Sequence, residues 1–110
     1  MRPHRILIAD DEEDIRFMLE LHLRREGHEV VSVADGQAAL DALRADDFDF
    51  ALCDLVMPRL DGIEVLQALK TEDIKVPVVL MSAHATVDVA LRAVAEGAFD
   101  YVAKPFRADE

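Results

Sequence analysis

The chain has 110 residues, of which 52% are hydrophobic and 32% are charged, so it is one folded domain with a real core and not a disordered chain. Its 23 acidic residues outnumber its 12 basic residues and give a formal net charge of −11. Such a charge repels nucleic-acid backbones and anionic membrane surfaces, so we expect no direct binding of nucleic acid and no membrane association by this domain.

Short apolar runs alternate with helical patterns along the whole chain. In chain order, the runs lie at 5–9, 29–34, 50–53, 77–81 and 99–103, and apolar residues at helical spacing lie between them at 15–23, 39–43, 65–69 and 87–94. Gly27 and Gly97 follow two of the helical patterns and are typical helix stops. This strand-helix alternation predicts a parallel sheet with helices on both faces.

The predicted fold is a doubly wound α/β fold with five parallel strands. Continuously apolar runs at 5–9, 50–53 and 77–81 indicate strands buried on both faces, whereas the mixed runs at 29–34 and 99–103 are typical of edge strands. The expected strand order is 2-1-3-4-5, which is the flavodoxin-like order.

The end of the chain predicts that a fifth helix (α5) is largely missing. Ala108-Asp109-Glu110 is typical of a first helical turn, so we expect that residues 1–110 are one domain cut near the start of α5. Met1 lies four residues before the first strand, which suggests that this domain begins its parent protein.

The missing helix has a predicted consequence for the sheet. Without α5, the side chains of Ile6, Ile8 and Val102 would lose their cover, which would favour a dimer or other self-association.

The first apolar run and the single cysteine indicate the cellular location of the protein and the state of its thiol. The first apolar run is too short for a signal peptide or a membrane span, so we expect a cytoplasmic protein. Cys53 is the single cysteine and lies inside an apolar run, so it forms no internal disulfide and is expected to be buried.

Polar residues follow the apolar runs at the points where the strands end. Asp10 and Asp11 follow the first strand, Asp54 the third, Ser82 the fourth and Lys104 the fifth. The carboxyl ends of parallel strands share one edge, where open α/β sheets bind ligands, so these side chains are expected to meet there.

The chemistry of this group points to phosphoryl transfer with a divalent cation. Three clustered carboxylates repel each other unless a cation such as Mg²⁺ neutralises them, and no cysteine or histidine spacing suits zinc. Asp54 is the candidate nucleophile. Lys104 would neutralise charge on the phosphoryl oxygens, and Ser82 would donate a hydrogen bond.

The chain up to the missing helix resembles the receiver domain of bacterial two-component response regulators. The motifs that carry the resemblance are Asp10-Asp11, the run 53–62 around Asp54, Ser82-Ala83 and Lys104-Pro105-Phe106. The resemblance implies that Asp54 is the phosphoacceptor. It also implies that Asp11, Asp54 and the backbone carbonyl of Val56 bind Mg²⁺ directly, and that Asp10 acts mostly through water.

The resemblance also assigns the remaining positions. It implies that Lys104 contacts the phosphoryl group through a cis bond to Pro105, that Ser82 is the switch hydroxyl and that Tyr101 is the aromatic switch residue. Val56 and His84 match positions that tune the phosphoryl lifetime, although they are equally explained as variable loop residues. The acids at 12–14 have the simpler interpretation of a solvated helix N-terminus.

The function implied by the resemblance is signalling. The domain would take a phosphoryl group from a sensor histidine kinase, change the face formed by the fourth helix and fifth strand, and thereby control an output domain or partner protein. It would assist its own phosphorylation and dephosphorylation without being an enzyme for a separate substrate. The segment 84–101 resembles receivers of sigma-54-dependent activators, which implies an ATPase domain and a helix-turn-helix beyond residue 110.

Three other functions stay open at this stage. A phosphohydrolase of the haloacid dehalogenase type also uses a strand-end aspartate but expects a second aspartate where this chain has Val56. A flavin or nucleotide carrier would need a glycine-rich phosphate loop, which the sequence lacks. A phosphorylation-independent interaction module would bind its partner equally well after Asp54→Asn.

Overall fold

A computed structural model of the chain describes residues 3–83 and 87–104. The elements in chain order are β1 (Arg5–Ala9), α1 (Glu13–Arg25), β2 (Glu29–Val33), α2 (Gly36–Ala45), β3 (Phe50–Asp54), α3 (Gly62–Thr71), β4 (Val78–Ser82), α4 (Val87–Ala95) and β5 (Asp100–Ala103). The predicted first turn of α5 lies outside the described residues.

The five strands form one parallel sheet in the order β2-β1-β3-β4-β5, which confirms the predicted fold and places β2 and β5 at the edges. β1 pairs with both β2 and β3, so Ala9 is in register with Val33 on one side and with Cys53 on the other. Because β1 and β3 are neighbours, the residues that follow them share one end of the sheet. Asp54 lies opposite Met81 of β4, which brings the end of β4 to the same place.

Each face of the sheet has its own hydrophobic cluster. Leu7 belongs to the larger cluster, together with residues of α2, α3 and α4 such as Leu40, Leu66 and Ala93. Alternate side chains of β1 point the other way, where Ile6 and Ile8 pack with Leu19 of α1 and with Val30 and Met81.

The expectation that Ile6 and Ile8 are exposed is therefore wrong, because both are 0% exposed. Their neighbours in the smaller cluster include Leu19 of α1, with Ile15 and Met18 of the same helix packed against it. Val102, the third candidate for exposure, is half-buried.

Local signals fix the ends of several helices, and the two predicted glycine stops are among them. Gly27 and Gly97 have φ of 93° and 95° just after α1 and α4, a conformation that only glycine adopts without strain. Asp61 caps α3 by accepting from the backbone N–H of Glu64 at 2.8 Å, while the Glu64 carboxylate accepts from the Asp61 N–H at 3.0 Å. In the described part of the chain, none of the helices is long and apolar enough to cross a membrane.

Candidate functional site

Four of the predicted site residues meet at the carboxyl edge of the sheet and are buried there. The exposed fraction is 0% for Asp10, 5% for Asp54, 1% for Ser82 and 8% for Lys104. Polar side chains are rarely buried to this degree unless they are paired or bind a ligand. Together they form a buried polar site at the carboxyl edge of the sheet.

Backbone hydrogen bonds hold the strand ends that carry these residues. The N–H of Asp10 donates to the carbonyl of Val33 at 3.1 Å, and the N–H of Lys104 donates to the carbonyl of Ser82 at 2.7 Å. The N–H of Leu55, directly after Asp54, donates to the carbonyl of Met81 at 2.8 Å. The side chains are therefore positioned by continuations of the sheet and not by free loops.

The ammonium group of Lys104 lies at the centre of the site. Its Nζ is 2.8 Å from Asp10 Oδ2, 2.8 Å from Glu12 Oε1 and 3.3 Å from Asp54 Oδ2. The Lys104 side chain is only 4% exposed, so these ion pairs replace most of its hydration. One buried cation thus joins three carboxylates that come from the β1–α1 connection and the end of β3.

The surroundings of Asp54 disfavour its charged form. Burial first, and then the nearby charge of Asp10, raise the pKa of Asp54 to about 6, although Lys104 acts in the opposite direction. For Lys104, burial lowers the pKa, but the hydrogen bonds and charges of Asp10 and Glu12 outweigh it and the net pKa is raised. Lys104 therefore stays charged at neutral pH, while Asp54 is close to its titration range.

The oxygen atoms of the site fit a hard divalent cation. One carboxylate oxygen from each of Asp10, Glu12 and Asp54 lies within 4.8 Å of the others. Asp10 Oδ2 is buried, and its charged neighbour is Lys104 Nζ at 2.8 Å. Clustered oxygens with too few donors are a suitable environment for Mg²⁺, which binds carboxylates and keeps several waters.

Glu12 is the member of this group that sequence reasoning missed. The interpretation of the acids at 12–14 as a solvated helix N-terminus holds for Glu13 and Asp14, which are exposed in the first turn of α1. Glu12 instead contacts Lys104, which is 92 positions away in the chain. Its place directly after the Asp pair was the available signal, but spacing alone did not show which way its side chain turns.

Two of the remaining predicted residues, Asp11 and Val56, lie on an open cleft of about 250 Å³. Its lining consists of Asp11, Glu12, Asp54, Val56, Ser82, Ala83 and Lys104. Asp11 is exposed on this lining and is not in the group of three clustered carboxylates. Val56 is 65% exposed, Tyr101 packs half-buried against the larger cluster, and His84 and Pro105 lie outside the described residues.

A larger cleft of about 430 Å³ lies at the opposite, amino edge of the sheet, between the residues before β3 and those before β4. It is lined by residues such as Arg44, Phe48 and Val76, and Arg44 is held there by two hydrogen bonds of 2.7 Å to Glu72. None of the predicted site residues lines it, so the smaller cleft is the functional candidate.

Comparison with known proteins decides the family. The model of the response regulator receiver domain matches residues 6–110. The chain belongs to this family. Receiver domains are signalling domains of two-component systems and not classical enzymes, as the resemblance implied.

Among curated proteins, this receiver domain is 41% identical over 107 residues to the regulatory protein AtoC of Escherichia coli, with 97% of the chain and 23% of AtoC covered. It is 36% identical over 110 residues to the DNA-binding transcriptional regulator NtrC of Proteus hauseri, with 100% of the chain and 23% of NtrC covered. The chain therefore spans about a quarter of the length of these relatives.

Solved structures agree with the fold. The receiver domain of the Francisella response regulator 1452 superposes with a TM-score of 0.92 at 30% identity, covering 96% of this chain and 88% of that one. The chemotaxis response regulator CheY4 of Vibrio cholerae gives 0.92 at 27% identity, covering 98% and 92%. NtrX of Brucella abortus gives 0.88 at 35% identity, covering 98% of this chain and 25% of that one.

Proposed function

We propose that this receiver domain accepts a phosphoryl group on Asp54 and passes the signal to an output domain or partner protein. The observation that carries the proposal is the buried Lys104 ammonium, which lies 3.3 Å from Asp54 and 2.8 Å from Asp10 at the sheet edge. A strand-end carboxylate paired with a buried cation beside an open cleft is suited to phosphoryl transfer. Membership of the receiver family supports the same role.

In the proposed reaction, a carboxylate oxygen of Asp54 attacks the phosphorus of a phosphohistidine on a sensor kinase. The new O–P bond forms as the N–P bond breaks, and the electron pair of that bond returns to the imidazole nitrogen. Lys104 offsets the negative charge that the phosphoryl oxygens bring into the cleft. Ser82, which lines the same cleft, is proposed to donate a hydrogen bond to one of them.

The proposal includes a Mg²⁺ ion held by oxygens of this edge. Asp10 and Asp54 supply buried carboxylates of the cluster, and Asp11 and the backbone carbonyl of Val56 are further candidates on the cleft lining. When bound, Mg²⁺ would neutralise charge on the carboxylates and on the phosphoryl oxygens. The residues of the chain do the rest, because Asp54 provides the nucleophile and Lys104 the fixed positive charge.

The proposed output is a change of the α4–β5 face. Ser82 ends β4, directly before the 83–86 segment that leads to α4, and Tyr101 lies in β5. Ser82 would move toward the phosphoryl group, and Tyr101 would move inward. Because these contacts form in only one of two states, the phosphoryl group would favour that state and so alter this face. Val56 and His84 are proposed to tune how long the phosphoryl group persists.

The relatives indicate the wider context. Two of the most similar curated proteins are a regulatory protein and a DNA-binding transcriptional regulator, each about four times longer than the chain. We infer that the output is transcriptional, of the sigma-54-dependent activator type, and that the domain works in the cytoplasm with a sensor histidine kinase. DNA contact would then belong to another part of the protein, which agrees with the charge of −11.

The test is covalent labelling by acetyl phosphate with Mg²⁺, followed by intact mass spectrometry. Wild type should gain one phosphoryl group that is labile to hydroxylamine, as an acyl phosphate is. Asp54→Asn should gain none, whereas Asp47→Asn, an equal change at an exposed acid before β3, should be labelled like wild type. Equal labelling of wild type and Asp54→Asn would place the nucleophile at another residue.

A further inference from the structure

The contact between Glu12 and Lys104 has no role in the proposed phosphoryl transfer. Glu12 stands at the N-cap position of α1, where an acidic side chain ordinarily accepts hydrogen bonds from the first N–H groups of the helix. The Glu12 side chain makes no such bond. It turns to the cleft instead, and its Oε1 accepts a hydrogen bond from Lys104 Nζ at 2.8 Å.

This contact is one of three close ion pairs around the ammonium of Lys104. A lysine ammonium has three N–H donors and no acceptor. In this structure three carboxylates surround it, from Asp10, Glu12 and Asp54, at 2.8, 2.8 and 3.3 Å. A phosphoryl oxygen on Asp54 would therefore compete with these carboxylates for the ammonium of Lys104.

The three partners differ in how easily they can leave. Asp10 is 0% exposed, so a free Asp10 carboxylate would stay buried without its cation, which is costly. Asp54 is itself the residue that carries the phosphoryl group. The Glu12 side chain is 56% exposed, so its carboxylate can exchange the ammonium for water at small cost. Glu12 is the partner that can be displaced.

We propose that Glu12 is a positioning residue that holds Lys104 in the resting state and is displaced from it when a phosphoryl group occupies Asp54. This inference rests on the proposed function. Glu12 competes with the phosphoryl group for the Lys104 ammonium, so it weakens the interaction of Lys104 with that group. It thereby favours the resting state, in which Lys104 contacts Glu12. The new negative charge on Asp54 also repels the Glu12 carboxylate, and both effects act in the same direction.

The experiment measures binding of beryllium fluoride, a phosphoryl analogue, at saturating Mg²⁺. Glu12→Gln keeps the shape of the side chain and removes its charge, and it should bind the analogue about 2- to 10-fold more tightly, as expected for loss of a half-exposed ion pair. Glu12→Ala should give the same direction of change. The matched control is Glu13→Gln, which removes the same charge from the adjacent exposed residue and should stay within about 2-fold of wild type.

A second measurement reports on the contact itself. The side-chain ammonium of Lys104 is observed by ¹⁵N NMR before and after the analogue is added. In the resting Glu12→Gln protein its protons should exchange with water faster than in wild type or Glu13→Gln, because one partner has been weakened. With the analogue bound, the Lys104 signals of all three proteins should coincide, because Glu12 no longer contacts the ammonium.

The outcomes separate the inference from the proposed function. A wild-type protein that neither binds the analogue nor is labelled at Asp54 overturns the proposed function and the inference with it. If wild type binds the analogue but Glu12→Gln and Glu13→Gln match it, the proposed function stands and the role of Glu12 is wrong. Titration of Mg²⁺ alone covers the remaining case. Weaker Mg²⁺ binding by Glu12→Gln, with unchanged analogue affinity at saturation, would make Glu12 a metal ligand and overturn the displacement.

Discussion

At the scale of single residues, the site is a balance of three carboxylates against one ammonium. Asp54 is 5% exposed and faces Lys104 at 3.3 Å, yet its pKa rises to about 6 because burial and the charge of Asp10 outweigh that one cation. The folded protein therefore holds a carboxylate that is less stable in its charged form than in water. The ionised carboxylate destabilises the folded state, but its poor hydration makes it a better nucleophile for phosphoryl transfer.

The first prediction concerns this destabilisation. The folded pKa of Asp54, about 6, lies above the unfolded value of 3.8, so between these values the folded state binds more protons and stability falls as pH rises. Well above pH 6, Asp54 is ionised in the folded state and its full destabilising effect is present. At pH 7.5, Asp54→Asn should therefore unfold at a higher urea concentration than wild type, with a free energy of unfolding that is larger by about 1–3 kcal/mol. This difference should shrink toward pH 4.

The measurement uses urea unfolding between pH 4 and pH 8 in EDTA, so that bound metal does not enter. Asp47→Asn serves as the control, because Asp47 is exposed and its replacement should leave the difference from wild type nearly constant over this range. A variant Asp54→Asn that is less stable than wild type at pH 7.5 would show that Lys104 pairing, and not burial, dominates at Asp54.

The second prediction concerns Cys53, which precedes Asp54. Burial first, and then the negative charge of Asp54, raise the pKa of the Cys53 thiol to about 12, and the residue is 2% exposed. A thiol that is neither ionised nor accessible does not react as a nucleophile. Native protein should therefore react with Ellman's reagent at least about 100-fold more slowly than unfolded protein, and fast labelling of the native state would contradict the buried position of β3.

Residue-level prediction from the sequence succeeded where position in a strand decides the outcome. Asp10, Asp54, Ser82 and Lys104 lie at or directly after strand ends, and a parallel sheet brings those ends to one edge. Glu12 could not be predicted in the same way. Its contact depends on the backbone path of the β1–α1 connection and on a rotamer choice, and neither leaves a pattern in the residue order.

At the scale of elements, periodicity identified every strand and helix that the structure describes, because each is amphipathic or buried in a regular way. It could not identify which helix covers which face. Ile6 and Ile8 were expected to need α5, whereas they pack with α1 residues such as Leu19. The sequence shows that a side chain is apolar and faces inward, but the partner helix is set by the tertiary arrangement.

The third prediction concerns the contact between α2 and the loop that follows Asp54. A Cβ atom at Gly36 would lie 1.9 Å from the carbonyl oxygen of Leu60, and the loop is anchored beside it because the N–H of Gly62 donates to the carbonyl of Leu55 at 2.8 Å. Gly36→Ala should therefore destabilise the domain by about 1–3 kcal/mol, measured by urea unfolding.

The contrasting variant is Gly27→Ala. At Gly27 a Cβ atom meets nothing within 4 Å, but φ is +93°, so the cost there is backbone strain alone, on the order of 1 kcal/mol. Gly36→Ala should also shift NMR signals of residues 55–60, whereas the signals of this loop should be unchanged in Gly27→Ala. An unshifted loop in Gly36→Ala would mean that α2 and the loop are not in the close contact described here.

At the scale of the whole molecule, charge is the dominant feature. The net charge of −11 repels itself in a compact state, and part of it is concentrated at the carboxyl edge where Asp10, Glu12 and Asp54 meet. General repulsion is screened by any salt, because the Debye length falls to about 10 Å at 0.1 M. A specific Mg²⁺ site behaves differently, since binding to the folded state alone adds stability that depends on the concentration of the ion.

The last prediction separates these two effects. Thermal unfolding is measured at constant ionic strength while MgCl₂ replaces NaCl. If the edge binds Mg²⁺, wild type should gain up to about 2.7 kcal/mol of stability as Mg²⁺ reaches about 100 times its dissociation constant. Asp10→Asn removes a buried carboxylate of the cluster and should lose most of this gain in stability. Asp47→Asn also removes one negative charge, but outside the cluster, and should retain the gain. An identical gain in both variants would mean that Mg²⁺ acts only through the general charge of the molecule, and the magnesium site at the end of β1 and β3 would then be wrong.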